Sequence, residues 1–118
     1  MNKIEKEMLE LLLKLKEGGA IAVKAEFEAE GTRTEELLRL IELSRRADIG
    51  LALKIGGCEA VRDLIEAKQF GVDYVIAPMV ETSYAIEKYI VAKNKVFSED
   101  EREDMSFLVN MAKKLQVT

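Results

Sequence analysis

Charged side chains fall on one face of the predicted β-strands in this sequence. In the first strand, charged and apolar residues alternate with a period of two, and the charged positions are Lys24, Glu26 and Glu28. A second predicted strand carries Lys54 near its carboxyl end, and Glu81 directly follows a third. Ligands bind at the carboxyl ends of parallel strands, in open sheets and in barrels alike. We therefore expect these five charges to converge on a ligand-binding site.

The candidate site combines these charges with two glycines that follow the second strand. The candidate catalytic residues are Lys54, Glu26 and Glu28. The candidates for binding the substrate or another anion are Lys24, Gly56, Gly57 and Glu81. Glycine lets a ligand approach the backbone, and the start of the next helix offers N–H groups to an anion. Two alternatives stay open: the charges form a structural ion-pair network or a solvated edge, and the glycines form only a tight turn.

The rest of the sequence predicts how these strands are positioned. A helix over Lys3–Glu17 precedes three strand–helix units, whose connections are short and contain glycine. Such alternation gives parallel strands joined by right-handed crossovers, so the predicted class is α/β. The pattern leaves open whether the sheet is doubly wound or part of a barrel. We expect Lys54 within ion-pair distance of Glu26 or Glu28, because same-face neighbours on adjacent strands lie close together.

Composition and net charge argue against several classes of protein. The 118 residues predict one domain, and 48% hydrophobic with 34% charged residues is a globular composition rather than a disordered one. A net charge of −4 argues against a nucleic-acid or anionic-membrane partner. Because the sequence has no histidine, it has no Ser-His or Cys-His pair and no imidazole zinc site, and its one cysteine excludes an intrachain disulfide. The charged beginning is unlike a signal peptide, and no apolar run is long enough to cross a bilayer. We expect a cytoplasmic protein.

Three stretches resemble the aldolase/citrate-lyase superfamily, which includes the 2-keto-3-deoxy acid aldolases. They cover residues 24–31, 53–63 and 71–81. The resemblance implies the amino-terminal half of a TIM (βα)8 barrel. Together with the flanking amino- and carboxyl-terminal helices that the local sequence pattern predicts, residues 1–118 would form a single truncated barrel-like domain. The implied chemistry is metal-dependent cleavage or formation of a carbon–carbon bond next to a 2-oxo acid or a coenzyme A thioester.

The resemblance also bears on cofactors and ligands. In the family, a divalent metal (Mg²⁺ or Mn²⁺) is held by a glutamate and an aspartate from strands beyond the third, so we assign no metal ligand and no cofactor to this chain. Lys54 stands in the region where the aldolases place an arginine that holds the substrate carboxylate, and lysine keeps the charge without the bidentate fork. The implied partner is a 2-oxo acid or a coenzyme A ester. We expect an incomplete relative that is either inactive or only weakly ligand-binding on its own. The alternative is a non-catalytic half-barrel module of unknown function that oligomerises.

The carboxyl-terminal segment carries two conflicting signals. The resemblance places a fourth strand at residues 107–110. The Ser98 cap, the acidic residues after it and the apolar spacing instead predict a helix from Glu99 to about Leu115. We expect the helix.

A half-barrel leaves its inner sheet face uncovered. We expect Val75, Ala77 and Met79 to line that face together with Ala22 and Ala52. Soluble monomers rarely leave such an apolar patch open, and sheet edges without partners invite pairing. We therefore expect a homo-oligomer, with a two-fold dimer as its simplest form.

Overall fold

The computed structural model describes residues 1–26 and 33–111, and these residues form an α/β fold around one parallel sheet. The helices are α1 (Lys3–Glu17), α2 (Thr34–Ala47), α3 (Val61–Phe70), α4 (Ser83–Val96) and α5 (Glu99–Glu103). The strands are β1 (Ala22–Glu26), β2 (Gly50–Lys54), β3 (Tyr74–Val80) and β4 (Ser106–Met111). Their order in the sheet is β1-β2-β3-β4, and every neighbouring pair is parallel. The predicted α/β class is confirmed, and among the described helices none has the length and apolarity needed to span a membrane.

Local sequence signals fix several helix ends. The side chain of Asn2 accepts a hydrogen bond from the Glu5 N–H and forms a capping box at the start of α1, whose predicted bounds are confirmed. The Thr82 hydroxyl accepts from the Ala85 N–H and caps α4. Gly71 ends α3 in the left-handed region, with a φ of 70° that suits glycine. These local signals set where the helices begin and end.

The core lies between one face of the sheet and helices α2, α3 and α4. Strand residues such as Leu53, Val75 and Ala77 are fully buried there, and Leu37 of α2 and Leu64 of α3 pack against them. Because consecutive strands are neighbours and their crossovers are right-handed, the connecting helices lie on the same side. We call this side of the sheet the helix face.

The opposite side of the sheet, which we call the open face, holds the residues that alternate with the core positions. It is formed by Ala22, Lys24, Glu26, Gly50, Ala52, Lys54, Tyr74, Ile76, Pro78, Ser106, Leu108 and Asn110. The main hydrophobic cluster of the described residues is on the helix face. Lys24, Ser106 and Leu108 are exposed on the open face, whereas Glu26, Ala52 and Ile76 are buried there by their neighbours.

The expectation that Val75 and Ala77 line the open face is wrong. Val75 pairs with Leu53, a helix-face residue, so Val75 and Ala77 belong to the core and Ile76 takes the open-face position. The pairing of β3 with β4 is irregular between Ala77 and Val80. Met79 lies in this irregular part of β3, where it has a φ of 43° and is 66% exposed. Sequence alternation cannot assign the faces of this strand, because nearly all its residues are apolar.

The expectation of a long tail helix is also wrong. The capping box of Ser98 and Glu101 is present as predicted, but α5 ends at Glu103 and the chain enters β4 beside β3. Phe107 packs edge-to-face on Phe97, with ring centroids 5.2 Å apart. The open edge of β3 and this aromatic contact outweigh the local helix signals. Leu115, the expected end of the helix, lies outside the described residues.

We expect Asp73 to stabilise the junction of β2 and β3. Its Oδ2 accepts a hydrogen bond of 2.9 Å from the N–H of Leu51, which is 2% exposed. Asp73→Ala leaves that buried donor without its partner, so we expect the free energy of unfolding to fall by about 1–3 kcal/mol in urea titrations. Asp73→Asn retains an acceptor oxygen and should lose clearly less. Equal losses in the two variants would show that the hydrogen bond does not carry the effect.

Candidate functional site

Two lysines and one glutamate meet at the carboxyl ends of β1 and β2. The parallel register sets Glu26 opposite Lys54, and the Lys54 Nζ lies 3.9 Å from the Glu26 Oε1. Lys24 shares the open face with Glu26 because the two are separated by one residue on β1, and its Nζ lies 2.6 Å from the same oxygen. The predicted ion pair between Lys54 and Glu26 is confirmed. Glu26 is therefore shared by two ammonium groups.

A cleft of about 590 Å³ opens beside this cluster. Its described lining consists of Glu26, Lys54, Ile55, Gly56, Gly57, Pro78 and Met79, and we call it the sheet-end cleft. The volume falls within the range of about 300–1,000 Å³ that is typical of small-molecule sites. The side chain of Lys54 is only 19% exposed, so its charge lies in the cleft wall rather than in open solvent. A small anion could reach this ammonium group through the cleft.

The carboxylate of Glu26 is held in its ionised form. The hydrogen bond from Lys24 lowers the pKa of Glu26 below its ordinary value, and the charges of Lys24 and Lys54 lower it further, while burial opposes the shift. A carboxylate with a lowered pKa is a weak general base at neutral pH. Of the two roles open to Glu26, the geometry favours organising the lysines over transferring a proton.

The pKa shift predicts a dependence of stability on pH. Because the pKa of Glu26 is lower in the folded state, its stabilising contribution is present above its ordinary pKa of 4.5 and is lost as the pH falls through the folded value. We expect Glu26→Gln to remove this contribution. The difference in unfolding free energy between wild type and variant should thus be largest at neutral pH and shrink in acid. A difference that is constant with pH would contradict the shift.

The two glycines lie in the cleft wall, but one of their amides already has an anionic partner. The Gly56 N–H donates to the Asp63 Oδ2 at 2.8 Å, and α3 begins only at Val61 rather than near Cys58 as its pattern predicts. Beyond Gly57 there is open space, with no atom within 4 Å of where a Cβ would stand. The carboxylate of Asp63 thus occupies the place that the sequence assigned to a ligand anion at Gly56. Sequence reasoning missed Asp63, although an acidic residue in a first helical turn is a recognisable signal.

Two other candidates lie outside the sheet-end cleft or outside the described residues. Glu81 directly follows β3 and is half-buried, but it is not among the described residues that line the cleft. Glu28 belongs to residues 27–32, which lie outside the described part of the chain. The structure thus brings Lys24, Glu26 and Lys54 together with the two glycines.

The cysteine next to the cleft is poorly placed to act as a nucleophile. The Cys58 Sγ lies 3.7 Å from the Pro78 carbonyl oxygen, to which it donates, and burial raises the pKa of the thiol. A thiol with a raised pKa is protonated at neutral pH and does not attack substrates. Pro78, which lines the cleft, is a second residue that sequence reasoning missed.

The described residues of the cleft do not form the donor set of a divalent-metal site. Across residues 1–26 and 33–111, no three acidic, histidine or cysteine side chains are grouped as they would be around a metal ion. Among the described lining residues the carboxylate is that of Glu26, which is already paired with two ammonium groups whose charge opposes a cation. Mg²⁺ and Mn²⁺ prefer several oxygen ligands. The described residues therefore fit an anion better than the metal that the resemblance implies.

Comparison with known proteins adds no family assignment. No family model matches the chain, and a search of curated proteins finds no significant match.

Proposed function

We propose that this protein binds a small carboxylate of the 2-oxo-acid class in the sheet-end cleft, with Lys54 as the cation that receives it. We also propose that the chain is a half-barrel relative of the aldolase/citrate-lyase superfamily, as its sequence resemblance implies. We further propose that the protein is cytoplasmic. A coenzyme A ester is the second ligand class that this resemblance implies.

One observation carries the proposal: two lysines share a single carboxylate at the cleft. Lys24 holds Glu26 at 2.6 Å, whereas Lys54 is 3.9 Å away, beyond direct hydrogen-bonding distance. A ligand carboxylate in the cleft can give Lys54 a direct hydrogen-bond partner, an interaction worth about 1.5–3 kcal/mol.

The described residues support binding rather than turnover. Glu26 is ionised and engaged by both lysines, so it is a poor proton acceptor. We therefore propose a weak binding site, with a dissociation constant in the range of about 1 mM.

Thermal unfolding in the presence of candidate ligands tests this function. Pyruvate and oxaloacetate, with and without Mg²⁺ or Mn²⁺, should raise the melting temperature, because a ligand that binds only the folded state stabilises it. At ten times the dissociation constant the gain is about 1.4 kcal/mol, which corresponds to several degrees for a domain of this size. Methyl pyruvate, which lacks the carboxylate, and sodium chloride at matched ionic strength are the controls. No shift with any 2-oxo acid or with acetyl-coenzyme A would refute the proposal.

The open sheet face favours a second candidate function, a module that associates with itself. Leu108 is 44% exposed on this face, and among the described residues the helices that cover the sheet pack on the other side. Exposed apolar sheet faces commonly mark protein–protein contacts. The second candidate requires no ligand, so sedimentation in the absence of 2-oxo acids separates it from the first.

A further inference from the structure

Within the described residues the sheet ends in two edge strands, and its strand directions allow a second copy to close it. β1 and β4 are the edge strands, and all four strands run in the same direction. A two-fold axis parallel to the strands preserves that direction, so β4 of each copy can pair in parallel with β1 of the other. The resulting ring contains eight strands, the number whose interior is just filled by side chains.

The backbone at both edges is arranged for such pairing. Within the sheet, the Ser106 N–H donates to the Asp73 carbonyl oxygen at 3.1 Å, so strand alternation directs the Val109 N–H toward the open edge. At the other edge, the Gly50 N–H donates to a carbonyl just before β1, and the same alternation directs the Ala22 N–H away from β2. Each edge therefore presents backbone donors and acceptors that a further parallel strand would satisfy.

Apolar side chains flank both edges. Leu108 lies on the open face of β4 and is 44% exposed. Helix α1, which packs near β1, leaves Ile4, Leu11 and Leu15 exposed along one stripe. On the β4 side, α4 exposes Ile90. In a closed ring, α1 of one copy would lie beside β4 and α4 of the other, so these surfaces would cover each other.

The chain exposes more surface than a compact monomer of its mass. The chain exposes 7576 Å², whereas a compact monomer of 13.3 kDa exposes about 6,450 Å². An interface that covered the open face and the sheet edges would bury part of this excess of about 1,100 Å². A standard stable interface buries about 800 Å² on each partner.

We propose that two copies of this chain close an eight-stranded parallel barrel through β4–β1 pairing, and that their sheet-end clefts open into one shared mouth. In this arrangement β1 of the partner borders the carboxyl end of β4, so Glu26 of the partner subunit lies beside Asn110. The second copy thus completes the site that a single copy leaves open on one side. The inference builds on the second proposed function and does not depend on ligand binding.

Sedimentation of wild type and two matched variants tests the association. Wild type should sediment at micromolar concentration with twice the 13.3 kDa chain mass. Leu108→Glu puts a charge inside the barrel and should give a monomer with unchanged far-ultraviolet circular dichroism. Leu38→Glu changes a leucine of similar exposure on α2 and should remain a dimer. A wild-type monomer, or a Leu108→Glu variant that dimerises as well as wild type, would overturn the proposal.

Cross-linking distinguishes barrel closure from any other mode of dimerisation. It also provides a test that does not depend on the folding of the Leu108→Glu variant. We would mix a Lys24→Cys variant with an Asn110→Cys variant, both in a Cys58→Ser background, and add a short bis-maleimide. Adjacent strands are about 4.8 Å apart, whereas two copies of the same residue lie on opposite sides of the barrel. Cross-linked dimers should therefore form only in the mixture. Dimers that sediment normally but give no cross-link in the mixture would refute the barrel while leaving self-association intact.

Discussion

Replacing Phe97 with alanine should lower the free energy of unfolding by about 3–5 kcal/mol, the range found for buried large-to-small aromatic substitutions. Phe97 is 1% exposed, and its ring contacts Phe107 of β4 edge-to-face at 5.2 Å. The substitution removes the buried Phe97 ring and its contact with Phe107, which lies on the helix face of β4. Chemical denaturation measures the loss, and amide exchange at Phe107 and Val109 reports whether β4 opens first.

An aromatic residue on the surface of α4 provides the matched control for this prediction. Tyr84 is 64% exposed, so Tyr84→Ala should change the unfolding free energy by no more than about 0.5 kcal/mol. If Phe97→Ala cost less than about 1 kcal/mol, the aromatic cluster would not be a buried core feature, and the placement of β4 would be wrong.

Replacing Lys54 with methionine should weaken the binding of a 2-oxo acid by a factor of roughly 10 to 150, because the ligand loses one charge-assisted hydrogen bond of about 1.5–3 kcal/mol. The methionine keeps an unbranched side chain of similar length in the cleft wall. Fold stability should change little, since Glu26 retains its closer partner, Lys24. Isothermal titration or equilibrium dialysis with pyruvate measures the ratio of dissociation constants.

Two further variants make the Lys54 prediction specific to position and to charge. Lys95→Met removes an exposed lysine from α4 and should leave the affinity unchanged. Lys54→Arg keeps the charge and supplies a bidentate fork, so it should bind a carboxylate at least as tightly as wild type. Equal binding by wild type and Lys54→Met would rule out Lys54 as the cation that receives the ligand.

The parts of the fold that could be predicted from sequence are those with regular alternation or a strong local signal. The alternation along β1 places Lys24 and Glu26 on one face, and parallel pairing then brings Lys54 of β2 to Glu26. Both inferences need only the geometry of neighbouring strands. The helix α1 was predictable for the same reason, because its apolar spacing and glycine stop are contained in one short segment.

The remaining features depend on contacts between distant segments. The faces of β3 could not be assigned because its residues are nearly all apolar, so only the register of Val75 with Leu53 reveals them. The sequence predicts a helix for the carboxyl-terminal segment because its capping residue and charges act within that segment. β4 forms instead by pairing with β3, a contact that local signals do not report. The hydrogen bond from the Gly56 N–H to Asp63 joins the loop after β2 to the first turn of α3. The sequence pattern starts this helix near Cys58 rather than at Val61, so it does not place Asp63 in the first turn.

The most direct test of the proposed binding site is a pyruvate titration followed by amide chemical shifts in a ¹H–¹⁵N correlation spectrum. The proposal predicts saturable shifts that are largest at Gly56, Gly57 and Lys54 in the sheet-end cleft and that disappear in Lys54→Met. A second charged cleft, lined by Met8 of α1, by Arg39 of α2 and by Arg33 directly before α2, provides the internal comparison. Saturable shifts centred on that cleft, or shifts that rise linearly without saturation across the chain, would contradict carboxylate binding at Lys54.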